Sequence, residues 1–116
     1  MLVDGVASPE GEIRIRNEDE PVTLGLIGDS RGAPEVLSRL SERMINHTPD
    51  VVLHSGDFVM DARKPQEWDP QFFHPANRLL RSVPVYPAIG NHEHDHVSYY
   101  DAFEVPDNGS SRPEAW

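Results

Sequence analysis

Residues 22–29, "VTLGLIGD", form a mostly apolar run that ends in Gly-Asp. This pattern predicts a buried strand, covered on both faces. In the following "RGAPEVLSRLSERMINHTPD", Val36, Leu37, Leu40, Met44 and Ile45 recur at helical spacing, with Glu35, Arg39, Glu42 and Arg43 left for the wet side. Pro34 suits the first helical turn, and Pro49 stops the helix beyond His47. A second apolar run, "DVVLHSGD" (50–57), again closes on Gly-Asp. In "PQEWDPQFFHPANRLLRS" (65–82), Trp68, Phe72, Phe73, Ala76, Leu79 and Leu80 can line one side of a helix that Pro75 must kink or divide. A third strand is expected in "VPVYPAIGNH" (83–92), where Pro84 and Pro87 favour irregular or edge pairing. "VSYYDAF" (97–103) reads as a short helix.

Strand, helix, strand, helix, strand is the order of two βαβ units, so the fold class is α/β with mainly parallel strands. Crossovers of one hand bring the three strand C-termini to one edge, where open α/β sheets hold their ligands. Residues 1–21 are rich in Gly, Pro and acidic side chains and read as a linker, or as the tail of an upstream β segment around Ile13–Arg16.

Composition narrows the function. The 116 residues carry a net charge of −10, and Lys64 is the only lysine. The nine arginines are scattered, so no basic stripe offers itself to a nucleic-acid backbone or an anionic membrane. The absence of cysteine excludes disulfides, thiolate metal sites and cysteine nucleophiles. No run approaches the roughly 18 apolar residues of a membrane span. The N-terminal "MLVDGVASPEGEI" lacks the basic start and apolar centre of a signal peptide. The expectation is a soluble chain with no visible address.

Each predicted strand ends in glycine followed by an oxygen-bearing side chain: Gly28-Asp29, Gly56-Asp57 and Gly90-Asn91. Gly-Asp after a strand is ordinary turn chemistry when it occurs once. Three such pairs at neighbouring strand tips converge hard oxygen donors on one point, and His92 adds an imidazole. This mixed set suits Mn, Fe or Zn better than an oxygen-only calcium cage.

"GDSRG", "HSGD" and "GNHE", in this order and spacing, resemble the first three motifs of the calcineurin-like metallophosphoesterases, and the branch that includes purple acid phosphatase-like proteins most of all. The likeness covers roughly residues 22–116 and implies the N-terminal half of such a domain. By resemblance, Asp29 binds a first metal, Asp57 bridges two, and Asn91 binds the second. His92 steadies or protonates the substrate. The implied reaction is hydrolysis of a phosphate mono- or diester at two metal ions, with a phosphate ester as partner and the missing half supplied in cis or in trans. The alternative is a non-catalytic remnant or interaction module of the same fold, holding at most one metal.

Two positions depart from the pattern. Arg31 stands where many members carry a metal-binding histidine, and Met60 where purple acid phosphatases use a tyrosine. Arg31 is read either as a clamp on a phosphate oxygen or as a surface arginine at a helix start. His96 is the last histidine, so the later histidine ligands of the family are missing, and "RPEAW" (112–116) reads as the approach to a further strand. Such a piece is expected to expose apolar edge and face. A receiver or aspartate-nucleophile phosphatase fits less well, because Asp29-Ser30-Arg31 lacks paired carboxylates. Lys64 also follows no strand tip. His54 reads as a core histidine, His47 and His74 as helix-end residues, and His94 and His96 as loop positions.

Overall fold

The computed structural model describes residues 2–3, 6–7 and 16–105. Two short strands, β1 (Leu2–Val3) and β2 (Val6–Ala7), pair antiparallel, with Leu2 opposite Ala7. The expected strand around Ile13–Arg16 and the segment "RPEAW" lie outside the described residues, Arg16 excepted, which is not in a strand.

The chain then alternates as the sequence predicts. β3 (Leu24–Ile27) leads to α1 (Pro34–Asn46), then β4 (Val51–His54) and α2 (His74–Leu80), and finally β5 (Val85–Pro87) and α3 (Val97–Ala102). β3, β4 and β5 form a parallel sheet in that order, with Leu26 opposite Leu53 and Leu53 opposite Tyr86. The fold is α/β, with the strand C-termini along one edge. The second helical segment is divided near Pro75, as the sequence predicts: a π-helical turn (Asp69–Phe73) gives way to α2, whose second residue is Pro75.

The prediction of strands covered on both faces is corrected. Because the strands lie in sequential order, crossovers of one hand place α1 and α2 on the same side of the sheet. The two helices pack together there. The other face stays open among the described residues. Leu24, Leu26, Leu53 and Tyr86 are 54%, 72%, 40% and 59% exposed on it. A groove of about 760 Å³ runs over it, lined by Leu26, Leu53, Tyr86 and their neighbours, and it includes none of the motif carboxylates.

The buried stripe of α1 also differs. Val36 and Leu40 are exposed, whereas Leu37 and Ser41 face inward, with Met44 and Ile45 partly covered. The small Ser41 takes an inward position at which the apolar pattern alone favours Leu40. Val52, Leu79 and Val83 close one part of the core, and an aromatic cluster closes the other. In that cluster Trp68, just before the π-helical turn, with Phe72 and Ala76 of the π–α2 segment, surrounds Phe58, joined by Tyr99 of α3. His74 sits exposed at the π–α2 junction, at the start of α2 and not near a C-terminal dipole.

Candidate functional site

Backbone hydrogen bonds continue past the strand ends and zip the three loops together. Ser55 N–H donates to Ile27 O at 2.9 Å, Asp29 N–H to Gly56 O at 3.0 Å, Arg31 N–H to Asp57 O at 3.1 Å, and Ala88 N–H to His54 O at 2.8 Å. Asp29 (φ 51°) and Asp57 (φ 59°) both take the left-handed conformation, which Asp tolerates better than most residues. That turn lifts each carboxylate off its strand at the sheet edge. Between them, Gly56 and Gly90 touch backbone to backbone. A Cβ on Gly56 would lie 2.5 Å from Gly90 N, so glycine is required there by the crossing of two loops.

Asp57 is held from both sides along the chain. Next to it, Phe58 is fully buried, stacked on the His54 ring at 3.7 Å and set edge-on to Phe72 at 4.8 Å. The carboxylate of Glu93 is also fully buried and accepts three backbone N–H groups: Asp57 at 2.8 Å, Phe58 at 2.8 Å and Gly90 at 2.7 Å. Glu93 thus ties the loop after β4 to the loop after β5. Sequence reasoning gave it no role, although a signal was present. Glu93 stands three residues after Gly90, the spacing of a capping box, and it closes back on that residue's N–H.

The Asp57 carboxylate is divided between two partners. Oδ1 accepts the backbone N–H of His92 at 3.0 Å, and Oδ2 pairs with Arg31 Nη1 at 2.9 Å. Partial burial pushes its pKa up. That effect is outweighed by the His92 N–H and the hydrogen bond and charge of Arg31, so the pKa lies below the usual aspartate value. The same nitrogen of Arg31 also contacts Asp29 Oδ1, so one cationic centre joins both carboxylates. Asp29 is the more open, with 71% of its side chain exposed against 16% for Asp57.

His92 sits beside them. Its Nδ1 lies 2.6 Å from Met60 O, which can only accept, so in the neutral ring the proton is on Nδ1 and the Nε2 lone pair is free. Met60 therefore serves the site through its carbonyl, while the residue as a whole is 46% exposed. Gln71 of the π-helical turn braces the same region, its Oε1 accepting N–H groups from Gly32 at 3.2 Å and Met60 at 2.9 Å. Asn91 is exposed at the first position of the Asn91–Glu93 turn, between two residues tied to Glu93 and Asp57. His94 is exposed and 3.8 Å from Asp61, and His96 accepts the N–H of Ser98.

His54 is a core residue that also shapes this edge. Its Nδ1 accepts the Gly56 N–H at 3.1 Å, so the ring proton lies on Nε2 and is offered to Ser30 Oγ at 3.1 Å. In that tautomer His54 cannot take a proton from Ser30, which excludes the pair as a nucleophile and base. Burial, against the opposing charge of Asp57, lowers the His54 pKa to about 4.

The donor chemistry fits one hard cation. Two carboxylate oxygens already meet at a single positive centre, with Asn91 on the adjoining turn. It does not supply two complete coordination shells. No group of three His, Cys, Asp or Glu side chains is placed to hold a metal ion among the described residues. No helix among them is long and apolar enough to cross a membrane.

The chain belongs to the calcineurin-like phosphoesterase family, whose model matches residues 22–115. No curated protein and no solved structure matches it.

Proposed function

We infer that the chain takes part in metal-dependent hydrolysis of phosphate mono- or diesters at a dinuclear centre. In this reading Asp29, Asp57 and Asn91 are the ligands it contributes, and the remaining ligands come from outside the described residues. The observation that carries the reading is the convergence of the Asp29 and Asp57 carboxylates on one cationic centre. When bound, ions of the Mn, Fe or Zn kind polarise phosphoryl oxygens and acidify a water. They also offset the repulsion between a phosphate and a chain of net charge −10.

The chain's own residues divide the remaining work. Asp57, its backbone fixed by Glu93 and its Oδ1 held by the His92 N–H, presents its carboxylate from a set place. His92 in its neutral form offers Nε2 as an acceptor to a phosphate hydroxyl or a water. It protonates a leaving oxygen only as the imidazolium, because Nδ1–H is committed to Met60. Arg31 supplies paired N–H donors for a phosphate oxygen.

A second reading, a non-catalytic module that binds at most one metal, is favoured by the two-carboxylate donor set. Metal content and hydrolysis of an activated phosphodiester separate the two. The first reading expects metal-dependent turnover and loss of bound metal in Asp57→Asn. Turnover no greater than that of the Asp29→Ala/Asp57→Ala chain selects the second. Unchanged metal occupancy in Asp57→Asn would remove Asp57 as a ligand.

A further inference from the structure

We propose that Arg31 is a built-in counter-ion of the carboxylate pair, which a divalent cation must displace, and that the displaced guanidinium then meets the phosphate. This rests on the reading of Asp29 and Asp57 as cation ligands. Arg31 Nη1 contacts both carboxylates at once, the position from which a single ion would also reach them. A guanidinium has no lone pair and cannot enter a metal's coordination shell. Occupation by Arg31 and by metal is therefore mutually exclusive.

The geometry permits the exchange without unfolding. The Arg31 backbone stays pinned by its N–H to Asp57 O at 3.1 Å, so only the side chain has to move. That side chain is already 26% exposed and Asp29 is 71% exposed, which leaves a solvent path for both the leaving and the arriving charge. The Arg31 charge between them offsets the repulsion of the two carboxylates. With metal, the guanidinium is released within one side-chain length of the same centre. Metal and phosphate binding are then coupled in the same direction, and the coupling is reciprocal.

The test is a Mn²⁺ titration, read by the electron paramagnetic resonance of free Mn²⁺, on the wild-type chain and on Arg31→Ala, Arg31→Met and Asp57→Asn. Arg31→Met keeps the aliphatic stem, so the comparison survives if the alanine variant fails to fold. Loss of the competitor is expected to tighten Mn²⁺ binding about tenfold, equivalent to about 1.4 kcal/mol. Inorganic phosphate should bind the Mn²⁺-loaded wild type more tightly than either loaded Arg31 variant.

Wild-type Mn²⁺ binding that weakens in Asp57→Asn but is unchanged or weaker in the Arg31 variants overturns the competition and leaves the metal reading standing. No Mn²⁺ bound by wild type or by either Arg31 variant overturns both. Equal phosphate affinity in the loaded proteins overturns the second role of Arg31.

Discussion

Glu93 accepts the backbone N–H of Asp57 at 2.8 Å from a position 36 residues further along the chain. Its second oxygen takes Phe58, and Gly90 completes the set. A buried carboxylate used in this way is a brace for the site and lies outside its chemistry.

Replacing Glu93 by Ala leaves three backbone N–H groups without their acceptor. The expected loss of stability is roughly 3 kcal/mol or more, read as a shift in the urea midpoint at constant slope. Glu93→Gln keeps one acceptor but turns an amide NH₂ toward the donors, so it should fall between wild type and Ala. A midpoint for Glu93→Ala within error of wild type would remove Glu93 from this role.

His54 makes folding stability depend on pH. Its folded pKa of about 4 lies below the ordinary value of 6.5, chiefly through burial. Between these two values the unfolded chain binds the extra proton, so stability is complete above pH 6.5 and declines as pH falls toward 4. The loss over this window is about 3 kcal/mol. Urea unfolding at pH 7.5, 5.5 and 4.5 should slope less in His54→Gln than in wild type. Parallel slopes would mean that the imidazole is not excluded from water as described.

Gly56 (φ 101°) combines a left-handed backbone with a Cβ position 2.5 Å from Gly90 N. Both objections apply to alanine, and neither obstacle is a flexible side chain. Gly56→Ala should cost more than roughly 2 kcal/mol and lower the thermal midpoint accordingly. It should also weaken Mn²⁺ binding, because the loops after β4 and β5 separate. A variant as stable as wild type would show that the loops do not touch at this point.

Much of the frame was legible in the chain itself. Apolar runs of strand length, a 3.6-residue period between them and a Gly-Asp or Gly-Asn at each run's end determine a parallel α/β edge carrying Asp29, Asp57 and Asn91. These signals are local: propensity, periodicity and turn chemistry act within a few residues. Tertiary structure alone decided that, among the described residues, one sheet face is covered by both helices while the other stays open, and that α1 buries Ser41 in place of Leu40. It also decided that Glu93 is the brace and that Arg31 lies between two carboxylates. Glu93 meets Asp57, and Arg31 meets Asp57, only because the crossing of loops brings distant segments together. A polar residue's identity records that it needs a partner, and only the folded chain selects which one it meets.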